Sequence, residues 1–216
     1  TASNISPQVS HFHVAGKMTQ RTIEKSLKQL SQNWVGSDVE IPEIKTSKPP
    51  VRSQVYFIDI PGAKQSAITL GTLSIPGGNP ELYKYSVVNN RLGGGMEARL
   101  MRTLRLEKGY TYGAGSFFRE NSYQTPFYAY SQVRSNVTLE SLEIFKNIIN
   151  SYAESYNSED LELTKNKLIK QNALRFERLG SLLNMLDTIS KFNFPDTYIQ
   201  EQQDVLRSMN LEDAKS

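Results

Sequence analysis

The chain has 216 residues, 38% of them hydrophobic and 22% charged, which is an ordinary composition for a globular protein of one large or two small domains. The absence of cysteine excludes thiol nucleophiles, thiolate metal sites and disulfide bonds. The net charge is +3, and 25 basic residues are interleaved with 22 acidic ones, whereas a nucleic-acid-binding protein usually gathers its Lys and Arg on one face.

The first 50 residues predict a strand, a helix and a linker. Residues 9–15 alternate between polar and apolar, which is typical of a strand. Thr19 is placed as the N-cap of a helix that extends to Trp34. Residues 35–50 contain three prolines and scattered charges, which indicates an extended linker.

The remaining sequence predicts strands first and helices later. Strands are expected at 54–60 and 66–75, with a Pro-Gly turn between them, and at 111–120 and 125–134, which form a hairpin. Asn79 and Pro80 begin one helix, and further helices begin near residues 138, 158, 182 and 195. This order predicts an α+β fold with a mostly antiparallel sheet and helices packed on one face.

The segment 92–112, LGGGMEARLMRTLRLEKGYTY, carries the clearest candidate site. A glycine triplet precedes a short helix that Gly109 ends, and a strand follows directly. Arg105 lies in the last turn of the helix and Tyr112 opens the strand, so a guanidinium and a phenol are held together at one corner. The alternative is that Arg105 caps the helix dipole and Tyr112 is a half-buried strand aromatic. Tyr110 lies two residues before Tyr112, so alternation places both on the same side and leaves open which one faces the site.

The same segment resembles the second half of a zinc metallopeptidase of the insulinase, pitrilysin and mitochondrial processing peptidase family. The resemblance rests on the LGG at 92–94, Ala98-Arg99-Leu100, and Leu104-Arg105 followed by Gly109 and Tyr112. The residues at 57–66, FIDIPGAKQS, resemble the strand and Gln turn of that family. The chain departs from the family at Glu97-Ala98, where a serine is usual, and at Leu106.

The resemblance implies a domain organisation and a function. Residues 1–34 would form the strand and helix that complete a preceding half-domain, and residues 35–50 would be the linker between the two halves. Residues 51–216 would form most of a C-terminal half-domain that is truncated at its end. That half would bind peptide opposite a zinc-bearing half or partner subunit, as a single chain or as a homo- or heterodimer. Tyr112 would polarise the scissile carbonyl, and Arg105 would position the peptide. We also expect the strand at 9–15 to supply a sheet edge that the truncated C-terminus does not provide.

A zinc site within this chain is not predicted. The family's His-x-x-Glu-His motif is absent, and the two histidines, His11 and His13, stand two apart on a predicted strand without a third ligand nearby. No metal ligand is therefore assigned, and zinc is expected in the other half of the parent enzyme. No Gly-x-Ser-x-Gly elbow or phosphate-binding loop is present.

The alternative to the peptidase interpretation is a non-catalytic role. The chain could be a structural subunit that keeps the fold without a peptidase role, like core subunits of a respiratory complex. We expect no membrane-spanning segment, because no apolar run approaches ~18 residues. The first residues contain no signal peptide, and the sequence ends where a helix capped by Asn210 begins, which suggests a fragment. The compartment, cytoplasmic or periplasmic, and the peptide substrate stay open.

Overall fold

A computed structural model describes residues 5–45, 48 and 50–215. The chain divides into two compact units, Thr1–Lys45 with Gln171–Asp196, and Thr46–Lys170 with Thr197–Ser216. The predicted boundaries at residues 34 and 50 stay a prediction. None of the helices in the described part is long and apolar enough to cross a bilayer.

The α+β fold class is confirmed, because the described residues form both α-helices and a small antiparallel sheet. The strands are β1 (Gln65–Leu73), β2 (Thr111–Phe118) and β3 (Pro126–Arg134). The α-helices in the described residues are α1 (Gln20–Asn33), α2 (Glu81–Gly93), α3 (Arg99–Met101), α4 (Thr138–Asn150), α5 (Tyr152–Ser155), α6 (Ser158–Arg175), α7 (Leu179–Phe192), α8 (Tyr198–Ser208) and α9 (Leu211–Lys215). A π-helix, Arg102–Glu107, continues α3, and short 3-10 turns lie at Pro7–Val9 and Ser135–Val137.

The sheet has the order β1-β3-β2, so β3 is central and the described residues leave β1 and β2 as edges. Both pairings are antiparallel, and β2 and β3 form the predicted hairpin. Ala129 and Val133 of β3 are fully buried in the same core as Phe145 of α4, which places the helices on this face. The opposite face carries an aromatic cluster in which Phe117 contacts Tyr128 and Tyr130 at ring distances of 5.5 and 5.8 Å.

The helix ends agree with the capping residues in the sequence. The Thr19 side chain accepts a hydrogen bond from the backbone N of Thr22, 3.3 Å away, at the start of α1. Asn210 and Asp213 exchange side chain to backbone hydrogen bonds of 2.9 Å at the start of α9. This reciprocal pair satisfies two backbone donors at once, as in a capping box.

Two predicted strands are absent. Residues 10–15 and 54–60 lie outside the helices and strands, and neither stretch pairs in a ladder with any described residue. The expectation that residues 9–15 supply a sheet edge is therefore wrong. Alternation reports that a segment is able to form a strand, whereas pairing requires a partner edge that local sequence does not encode.

Candidate functional site

The glycine triplet lets α2 end directly against the backbone of β2. A Cβ on Gly93 would lie 2.1 Å from the backbone N of Ser116 and 2.7 Å from the carbonyl carbon of Gly115. The contact is reinforced by Asn89, whose side-chain amide donates a 3.0 Å hydrogen bond to the carbonyl of Ser116. The start of the candidate segment is thus fixed to the sheet by backbone packing.

The helix that carries Arg105 is a π-helix rather than the expected regular helix. Its wider turn shows in the hydrogen bond from Lys108 N to the carbonyl of Thr103, five residues earlier, at 3.0 Å. It also shows in the ion pair between Arg102 and Glu107, five positions apart, at 3.1 Å. Leu104 is fully buried and anchors the turn. π-helical turns are rare and often occur at functional sites.

Tyr110 and Tyr112 lie in different surroundings, although strict strand alternation predicts that their side chains face the same side. Gly109 ends the π-helix in the left-handed region, at φ +63°, as predicted for this glycine. The pairing of β2 with β3 then shifts in register between Thr111 and Ala114. Tyr110 is half-buried against the core, while Tyr112 is 87% exposed. A β-bulge inserts an extra residue and re-aims the side chains around it, which strict alternation does not foresee.

Arg105 is also exposed and does not bond to Tyr112. Its guanidinium donates to the sulfur of Met96 at 3.6 Å, which is a weak acceptor. In the part of the chain that the structure describes, no hydrogen bond or ring contact joins the side chains of Arg105 and Tyr112. Both groups are therefore available at the surface, on either side of Gly109.

A buried ion network that the sequence did not single out lies beside the glycine segment. Asp160, at the start of α6, accepts hydrogen bonds from Arg91 Nε at 2.9 Å and from Arg99 Nη2 at 2.5 Å. Burial raises the pKa of Asp160, but the hydrogen bonds and charges of Arg91 and Arg99 outweigh it and hold the pKa below its usual value. The network therefore ties α6 to α2 and to α3.

Arg99 also stacks on an aromatic ring, 4.8 Å from the centroid of Tyr152. The Tyr152 hydroxyl donates to the carbonyl of Val88 at 2.7 Å, and burial raises the pKa of this phenol. Burial likewise raises the pKa of the neighbouring Tyr156. Both phenols are neutral at physiological pH and are part of the packing around Arg99.

An apolar cavity of about 450 Å³ lies between the sheet and α2. Phe118 and Phe127 form part of its wall, with ring centroids 4.9 Å apart. Its remaining lining comes from several separate elements, which is why no single stretch of sequence indicated it: Thr72, Leu73, Ser74, Ile75, Lys84, Tyr85, Val88, Asn89, Leu92, Gln124, Tyr152, Asp213 and Ala214.

The residues of the chain do not fit a zinc site. Across the described residues, no three His, Asp or Glu side chains lie close enough together to hold a metal ion. His11 and His13 have ring centroids 6.4 Å apart, and the Nδ1 atom of His11 hydrogen-bonds the Ser190 hydroxyl instead.

Comparison with known families gives a match over most of the chain. The family model described as the peptidase M16 inactive domain matches residues 3–168. A Helicobacter pylori protein described as the non-peptidase homolog YmxG is 25% identical over 199 residues, which cover 88% of this chain and 45% of that protein. The chain therefore spans about half the length of this relative.

Solved structures share the fold. A peptidase M16 inactive domain from Pseudomonas fluorescens has a TM-score of 0.80 at 22% identity, over 93% of this chain and 48% of that one. The crystal structure of a protease from Helicobacter pylori has a TM-score of 0.79 at 13% identity, over 93% of this chain and 49% of that one. At these identities the likeness establishes the fold alone.

Proposed function

Because the chain belongs to the family of the peptidase M16 inactive domain, we propose that it is a non-catalytic half of an M16-type protein and serves to hold another domain or subunit. The match to the inactive-domain model over residues 3–168 carries this proposal. It is supported by the length of the curated relative, which is about twice that covered here and which is described as a non-peptidase homolog.

The proposal predicts assembly without peptide cleavage. The 216-residue chain is mixed with the remaining part of its parent protein, or with its partner subunit, and the mixture is analysed by size-exclusion chromatography with light scattering. A stable one-to-one complex that leaves a quenched peptide library intact is the expected result. Zinc-dependent cleavage by the complex contradicts the non-catalytic role, and the absence of any complex contradicts the pairing.

A peptide-positioning role is a second candidate, favoured by the exposure of Arg105 and Tyr112. The Tyr112 hydroxyl has no hydrogen bond to a described residue, and Arg105 bonds only a thioether sulfur among them. The Tyr112 hydroxyl and an arginine held only by a weak sulfur acceptor are available to contact a peptide backbone. In that case the zinc would be bound by the other half or subunit, and Tyr112 would donate its O–H to the scissile carbonyl as negative charge develops there.

This second role is tested with Tyr112→Phe and Arg105→Ala in the assembled protein. Loss of one fixed donor typically lowers kcat by about 10²-fold, whereas the matched controls Tyr123→Phe and Arg102→Ala leave it unchanged. Tyr123 is another exposed tyrosine, and Arg102 lies on the same π-helix as Arg105. If cleavage occurs and all four variants retain it, Arg105 and Tyr112 are structural residues.

A further inference from the structure

Residues 54–60, QVYFIDI, form an exposed apolar segment. Five large apolar side chains here are between 67% and 92% exposed: Val55, Tyr56, Phe57, Ile58 and Ile60. Four of these residues lie consecutively, and valine, tyrosine, phenylalanine and isoleucine have the strongest preference for strands. Contiguous apolar surface of this kind on a folded chain marks an interaction site.

The backbone of this segment is also unpaired. The amides of residues 54–60 donate to no backbone carbonyl among the described residues, and the stretch belongs to no ladder there. A strand-forming sequence with free amides and carbonyls is a template for pairing with another strand.

The nearest strand in sequence, β1, is not the partner because of the turn that precedes it. Ile60 and Ala63 close a four-residue turn through a 3.1 Å hydrogen bond, with Pro61 and Gly62 at its centre. Gly62 has φ +79°, and the proline ring fixes Pro61 at negative φ, which gives a type II turn. Two-residue hairpins need type I′ or II′ turns, with positive φ at the first central position, whereas a type II turn splays the two strands. Pro61 therefore directs the segment away from the free edge of β1.

We propose that residues 54–60 are the strand through which this half pairs with the sheet of the other half of the M16-type protein. This inference rests on the proposed function, because it names the segment by which the two halves associate. The chain matches about half the length of its curated relative, so the complete protein has a second half that can supply the partner strand. Pairing would satisfy the free backbone groups and bury the five apolar side chains together.

The first test is amide hydrogen exchange of residues 55–60. Their amides are expected to exchange at rates close to those of an unfolded peptide in the 216-residue chain alone. In the complete protein, or in the complex with its partner subunit, the same amides should exchange at least ~100-fold more slowly. Equal rates in both samples overturn the proposal.

The second test compares two charge substitutions that differ in position alone. Ile58→Glu places a carboxylate in the segment, and Ile41→Glu places one on another exposed isoleucine outside the helices and strands; the wild-type side chains are 82% and 73% exposed. Ile58→Glu is expected to weaken association of the halves at least ~10-fold, while Ile41→Glu leaves it unchanged. Both variants should keep the far-ultraviolet circular dichroism of the wild type.

The outcomes separate this inference from the proposed function. If the wild-type halves do not associate at all, the proposed function fails. If they associate and Ile58→Glu binds as tightly as Ile41→Glu, the function stands and the strand assignment is overturned. A discrete homodimer of the 216-residue chain at neutral pH that persists when the other half is added, and that Ile58→Glu abolishes, assigns the segment to a second copy and also overturns the proposal.

Discussion

Asp160 illustrates how one carboxylate holds three elements together. Its two oxygens accept from arginines on α2 and α3, and the three side chains are at most about a quarter exposed. Asp160→Asn leaves two buried guanidinium groups without their counter-charge, so we expect the free energy of unfolding to fall by about 2–3 kcal/mol. Urea unfolding measures this, and Asp204→Asn, which removes an exposed ion pair with Arg207, should change it by less than about 0.5 kcal/mol.

The lowered pKa of Asp160 predicts a loss of stability in acid. A carboxyl group whose pKa is lower in the folded chain stabilises the fold above its unfolded pKa of about 4, and this contribution disappears as the pH falls through the folded pKa. The wild type and Asp160→Asn should therefore differ in unfolding free energy at pH 6, and the difference should shrink as the pH is lowered below about 4. A difference that does not shrink in this acid range would show that the charge of Asp160 is not responsible.

Between secondary-structure elements, Gly93 determines how closely α2 packs against β2. In Gly93→Ala, the added methyl group meets backbone atoms of β2, which cannot move without breaking the sheet. We expect a loss of about 3 kcal/mol in unfolding free energy. Gly113→Ala is the matched control, since the nearest described atom to its added methyl group would be the Met101 methyl carbon at 4.0 Å, and it should cost less than about 1 kcal/mol. Similar losses in the two variants would mean that α2 is able to shift away from β2.

Helices and strands that are indicated by a local sequence pattern could be predicted from the sequence. The periodicity and caps of α1, α2 and α4, and the hairpin of β2 and β3, fall within a few residues of the predicted bounds. The helix predicted to begin near residue 182 instead begins at Leu179, so Gly180 lies inside α7. A single glycine costs a helix only about 1 kcal/mol, which packing of the apolar face of α7 is able to offset.

The sequence singled out the residues of the candidate site, but it did not reveal their surroundings. Arg105 and Tyr112 stood out through the pattern around Gly109, and both are exposed. The π-helix and the β-bulge depend on how α3 and β2 pack, so the different surroundings of Tyr110 and Tyr112 could not be derived from alternation. The ion network was missed because Asp160 lies more than 60 positions from both of its arginines.

Charge and exposed apolar surface act together in the whole molecule. The isoelectric point is about 8.9, so the isolated chain loses its net repulsion near pH 9 while residues 54–60 stay exposed. We expect light scattering of a concentrated solution to rise most steeply there, through strand association. At pH 9, Ile58→Glu should scatter less than Ile41→Glu, although both carry the same added charge. Equal scattering by the two variants would indicate that another surface drives association.

The turn at Pro61 determines whether the sheet of this chain needs a strand from outside the chain. Replacing the proline by asparagine creates an Asn-Gly pair, which favours the tight reversal that a type II turn does not provide. In Pro61→Asn, the segment 54–60 could fold back onto the vacant side of β1 and give a four-stranded sheet that needs no outside strand. Such a variant would be more soluble on its own and would no longer pair with the other half. A single proline would therefore keep the half-domain dependent on its other half.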